Sequence, residues 1–133
     1  MVKIDKFHKD IKPGNIFIVY NNEEKDNFDI RLGGFNLSLE EEERNDSSCC
    51  EGGHWFKAPE AFVEGEHKKC DLWSIGVLIY YLSFLRYLNR PFNFRKPEDE
   101  KLKDLITKLV VVEPEQRMDW NDYFSHPFFN QFK

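Results

Sequence analysis

Hydrophobic and polar positions change their spacing along this chain, and each change marks an element. Ile16-Phe17-Ile18-Val19-Tyr20 is an unbroken β-branched and aromatic run that stops at Asn21-Asn22, which predicts a strand and a turn. Phe28, Ile30 and Leu32 then alternate with Asp29 and Arg31, predicting a second strand with one buried face, so the two runs make a β-hairpin. From Leu39 to Gly53 the pattern dissolves into acidic and small polar residues, including Glu40-Glu41-Glu42-Glu43 and Gly52-Gly53, and reads as a loop. Lys69 to Leu82 is apolar nearly all round, as a helix buried on every side would be.

Asn89 to Lys96 is a short connection rich in Arg, Asn and Phe. A helix is expected to start near Pro97, with Glu98, Asp99 and Glu100 in a first turn where they complement the helix dipole. Leu102, Leu105, Ile106, Leu109 and Val110 form its apolar stripe, and Val112-Glu113-Pro114 ends it. Asp119, with Asp122 three residues on, reads as the N-cap of a last helix in which Trp120, Tyr123 and Phe124 pack inward before Pro127. The pattern as a whole predicts a mainly α fold with a small β-hairpin.

Composition narrows the class. At 133 residues the chain suits one domain, and its 41% apolar and 16% aromatic content exceeds that of a disordered polar segment. The net charge is −5 with Lys and Arg scattered, so the electrostatic footprint of a nucleic-acid binder is missing. Asp71, Ser74, Gly76, Ser83 and Arg86 interrupt the one long apolar run, and the mean hydropathy is −0.64, which argues against a membrane span. Three cysteines, two of them adjacent, make no disulfide framework, and Met-Val-Lys-Ile-Asp-Lys is too charged for a signal peptide. A reducing intracellular compartment is expected, the cytoplasm first, with the nucleus also compatible.

The candidate chemistry starts at His8-Lys9-Asp10-Ile11-Lys12-Pro13-Gly14-Asn15, whose spacing is similar to the H-R-D-x-K-x-x-N catalytic loop of protein kinases. Further landmarks follow in order: Ile30-Arg31-Leu32-Gly33 before Gly34-Phe35-Asn36, Ala58-Pro59-Glu60, Asp71-Leu72-Trp73-Ser74-Ile75-Gly76, Arg117, and His126-Pro127-Phe128-Phe129. Together they resemble the C-terminal lobe of a Ser/Thr protein kinase, near the calcium/calmodulin-dependent or autophagy-kinase-like branches. Lys12-Pro13 favours the Ser/Thr over the Tyr class. The resemblance implies a partial kinase domain over residues 1–133 that lacks the N-terminal lobe, with a catalytic loop at 8–15, an activation segment at about 34–60 and a helical core at 69–129.

It also implies roles. Asp10 would accept the substrate hydroxyl proton, Lys12 would steady the transferred phosphoryl group, and Asn15 would hold a metal ion, with ATP and Mg2+ as cofactors. Asp71 would anchor the catalytic-loop backbone, and Glu60 would pair with Arg117.

The departures from the family pattern matter as much. Gly34 stands where a carboxylate grips magnesium, and hard divalent cations at phosphates need carboxylates; the bland reading is a turn after a strand. Asn36 replaces a glycine, Gly53 replaces a threonine, and Lys9 replaces an arginine whose planar fork it lacks. Ser47 and Ser48 are either phosphorylation sites or part of a solvated loop. Neither G-x-G-x-x-G nor a V-A-I-K-like stretch occurs, which counts against ATP binding.

The reading that follows is a catalytically impaired pseudokinase or truncated Ser/Thr kinase. It would act through a protein partner, either a missing N-terminal lobe or a regulatory protein, and an apolar face around Leu78, Leu82 or Leu85 would be left uncovered. The alternative is the C-terminal part of a divergent active kinase that moves phosphate from ATP to protein Ser or Thr. A metal module of Cys49, Cys50, His54, His67 and Cys70 is disfavoured because no C-x-x-C pair occurs.

Overall fold

The apolar run after Lys69 folds as a 15-residue helix, Cys70–Phe84 (α1), in a computed structural model that describes residues 7–21, 27–34, 53–62, 68–88 and 97–133. Because α1 is apolar on all sides, it can be packed from two directions at once. Trp73, Val77 and Tyr80 meet Ile11, Phe56 and Ala58 in one core, while Leu72 meets Leu105, Leu109 and Met118 in another. Gly76 makes the crossing possible: a Cβ there would lie 2.7 Å from the Leu109 Cβ, so a second helix approaches where only hydrogen fits.

That second helix is Glu100–Leu109 (α2), which buries Leu105, Ile106 and Leu109. It begins three residues later than the Pro97 expectation. Asp99 has extended backbone (φ −68°, ψ 116°), and its carboxylate accepts the Leu102 N–H at 2.8 Å, so it caps the helix from outside. Glu98 therefore also lies outside the first turn.

A single-turn helix, Trp120–Phe124 (α3), opens with the Asp119 carboxylate accepting the Asp122 N–H at 2.8 Å. Trp120 and Tyr123 are half-buried, but Phe124 is 54% exposed, contrary to the inward packing expected of it. Lying one turn after Trp120, it stacks on that ring at 6.0 Å on the margin of the fold. The 3-10 helix Pro127–Phe132 closes the chain. His126 fixes this tail: its Nδ1 accepts the Phe128 N–H at 3.2 Å, and its Nε2 donates to Asp104 on α2 at 2.9 Å. Hydrogen bonds from Lys108 and His126 hold the Asp104 carboxyl below its ordinary value.

The hairpin pairs Ile16–Tyr20 (β1) antiparallel with Phe28–Leu32 (β2), with Ile16 opposite Leu32, Ile18 opposite Ile30 and Tyr20 opposite Phe28. This register gathers Ile16, Ile18, Tyr20, Phe28, Ile30 and Leu32 on one face. The expected burial of that face is not found: every residue of β2 is exposed, Ile30 at 68%. Two strands supply only a sheet, and no described element lies on it; Ile16 alone of these six packs against the core.

At the other end of α1, Leu78 is buried whereas Leu82 and Leu85 are exposed. Leu85 ends the helix in a left-handed conformation (φ 51°), donating its N–H to the Tyr81 carbonyl. Among the described residues the fold is thus mostly helical with one two-stranded antiparallel sheet. No described helix is long and apolar enough to cross a membrane. Readings on Ile4, Phe35, Asn36, Ser47, Ser48, Cys49, Cys50, His67 and the connection 89–96 lie outside the described residues.

Candidate active site

The site is built on a carboxylate at the start of α1. Asp71 is buried, and its two oxygens accept the backbone N–H groups of His8 at 2.6 Å and Lys9 at 2.7 Å. Lys9 sits at φ 65°, a left-handed conformation costing a non-glycine residue about 1 kcal/mol or more, and the bond to Asp71 holds it there. His8 continues the bracing. Its Nδ1 accepts the Asp10 N–H at 3.2 Å, so Nε2 carries the hydrogen and donates to the Gly33 carbonyl at 2.6 Å. The Gly33 N–H in turn donates to the Asn15 carbonyl at 2.8 Å, so both ends of the loop are tied to the end of β2.

This bracing brings Asp10, Lys12, Asn15 and Gly34 together. Asp10 is 9% exposed, and its Oδ2 lies 3.2 Å from the Lys12 ammonium. The Asn15 side-chain amide donates to the same Oδ2 at 2.8 Å and to the Asp10 carbonyl at 2.7 Å. Gly34 sits beside it at φ +79°, and a Cβ built there would fall within 2.6 Å of the Asn15 carboxamide atoms.

A divalent cation held beside a phosphate needs several hard oxygens, carboxylates first. Here Oδ2 of Asp10 already faces an ammonium and an amide, position 34 has no side chain, and no cluster of three acidic, His or Cys residues forms among the described residues. As arranged, these residues do not fit such a cation.

A second polar cluster locks the segment after the loop to the helical base. The Arg117 side chain is fully buried and donates to Glu60 Oε1 at 2.5 Å and Oε2 at 3.1 Å, to the Lys69 carbonyl at 2.8 Å and, twice, to the Val111 carbonyl. All five guanidinium N–H groups are used. The guanidinium also lies 5.2 Å above the Trp73 ring. Nearby, the Ser74 hydroxyl donates to the Phe56 carbonyl at 2.6 Å, and the Lys69 ammonium donates to the Arg117 carbonyl at 2.6 Å.

The structure does not bring the described cysteine and histidine candidates into a metal site. Cys70 is a buried thiol pushed up to about 12 by burial and by the neighbouring Asp71 and Glu60 charges, while His54 is exposed against Trp55. Sequence reasoning missed the roles of His8, Ser74 and Lys69 because each bonds to a backbone carbonyl. Carbonyls are the same at every residue, so only the position of His8 in its motif marked it.

Comparison with known proteins gives a consistent picture. The protein kinase domain family model matches residues 4–129. The Dictyostelium discoideum protein "Probable serine/threonine-protein kinase fhkB" is 35% identical over 149 residues, covering 93% of this chain and 12% of its own length. The liver/testis isoform of the phosphorylase b kinase gamma catalytic chain of Mus musculus is 31% identical over 93% of this chain and 35% of its own length. Calcium/calmodulin-dependent protein kinase type 1 of Caenorhabditis elegans is 30% identical over 92% of this chain and 40% of its own length. The chain therefore spans well under half the length of each of these relatives.

Proposed function

The chain belongs to the protein kinase family, a family that works with ATP and Mg2+, and on that footing we propose that it is a kinase C-terminal lobe with an impaired phosphoryl-transfer centre that acts by binding another protein. The observation that carries this reading is position 34, where a glycine faces the Asn15 carboxamide in place of a carboxylate aimed at a cation. Phosphoryl transfer depends on positioning and charge stabilisation, and losing one preorganised stabilising donor typically lowers the rate by ~10²–10³. With the carboxylate gone, Mg2+ is held poorly and ATP binding is weak.

A protein partner is supported by the apolar face of the hairpin and by exposed Leu82 and Leu85, since apolar surface gathered in this way is covered in working proteins. The partner supplies the rest of a kinase domain or a regulatory surface. A free buried thiol, Cys70, fits a reducing cytoplasmic setting.

A second reading has its own support. Asp10, Lys12 and Asn15 converge within hydrogen-bonding distance, and the relatives carry the names of Ser/Thr kinases. On that reading the chain is the C-terminal part of a divergent active kinase, with Asp10 and Lys12 catalytic and Asn15 holding the metal. Phosphate transfer from γ-labelled ATP to a generic protein substrate separates the two. The impaired centre predicts no signal above the Asp10→Asn variant, whereas robust transfer that vanishes in Asp10→Asn would establish the active kinase.

A further inference from the structure

Position 34 is more than a missing ligand. The carboxamide of Asn15 lies where a Cβ at residue 34 would be, within 2.6 Å, and it is committed there by two hydrogen bonds, to the carbonyl and the carboxylate of Asp10. The Lys12 ammonium reaches the same carboxylate oxygen at 3.2 Å and supplies a positive charge on that side. From this geometry we infer that Asn15 and Gly34 are a coupled pair. The Asn15 carboxamide fills the volume of the absent side chain, and with Lys12 it holds Asp10 in place without a divalent cation.

This deepens the reading of an impaired centre and rests on it. Asn15 is thereby a positioning residue for Asp10 instead of a metal ligand. Returning a carboxylate at position 34 by Gly34→Asp does not by itself open a cation site, because the new side chain meets Asn15 and also adopts a positive φ. Both obstacles must be relieved together.

The test is thermal unfolding of the 133-residue chain and of Gly34→Ala, Asn15→Ala and the double variant. The drop in Tm caused by Gly34→Ala should be roughly twice as large when Asn15 is present as when it is alanine, the remainder being the cost of the positive φ. Equal drops in the two backgrounds would overturn the coupling. A measurement on the unmutated chain guards against a variant that does not fold: the side-chain amide protons of Asn15 should exchange with water far more slowly than those of exposed Asn130, whose carboxamide only accepts a bond, from Lys133. Exchange at the rate of Asn130 would overturn the inference. Neither readout involves phosphate transfer, so the coupling and the impaired centre can fail separately.

Discussion

The two clusters that organise this molecule each pair an acidic side chain with a basic one, yet they are built on opposite terms. At Glu60–Arg117 a rigid planar cation is fully buried and every N–H group it owns is used. At Asp10 the cation is a flexible ammonium on a side chain that is 24% exposed, and the second partner is a neutral amide. The first arrangement is closed and serves structure. The second is half-open, since water reaches the Lys12 side chain more than the Asp10 carboxylate it faces. The base and the catalytic loop are therefore held by separate sets of residues, so a change in one can leave the other standing.

The contrast can be tested by breaking each cluster. Arg117→Ala should show the largest effect, about 3–5 kcal/mol in urea unfolding, since it strands the Glu60 carboxylate and the Val111 carbonyl. Lys12→Ala, the matching change at the open cluster, should cost under ~1 kcal/mol, because a partly exposed ammonium is screened by water. Comparable losses in the two variants would mean that the clusters are alike after all.

Asp71→Asn links the two regions and should rank next, at about 2 kcal/mol, because an amide oxygen can accept only one of the two N–H bonds without turning its own donor toward the other. Hydrogen exchange at His8 and Lys9 should quicken in that variant. Ile30→Thr on the exposed hairpin should change the stability of this chain by less than ~0.5 kcal/mol while weakening capture of the proposed protein partner. A large stability loss would mean that the face is covered by the chain itself.

The smallest effect expected is at Asp104. Its carboxyl is held below the ordinary value of 3.8 by hydrogen bonds from Lys108 and His126, so its contribution is present above that value and fades as pH falls through the lowered one. Because nearly half of the Asp104 side chain is exposed to water that screens it, Asp104→Asn should flatten the acid limb of the stability curve by no more than about 0.5 kcal/mol. Acid unfolding of the two proteins side by side measures it.

Much of this was legible in the residues. Strand Ile16–Tyr20, the all-round apolar helix and the Asp119 cap follow from local spacing, which is why they stand where the pattern places them. Alternation in Phe28–Leu32 fixed which side chains share a face but not whether anything lies upon it, since burial depends on a second layer that periodicity does not encode. The late start of α2 turned on one carboxylate choosing to cap instead of join the helix. At the site, the motif located Asp10, Lys12 and Asn15, but the contact of Asn15 with Gly34 arises from the left-handed backbone at position 34, which the sequence does not spell out.

We propose that the base of a kinase stands here around a centre that holds no cation. Calorimetric titration of the chain with ATP, once with Mg2+ and once with a chelator, tests it most directly. Mg2+ should make no difference to the affinity. A tightening of tenfold or more with Mg2+, about 1.4 kcal/mol, would contradict it.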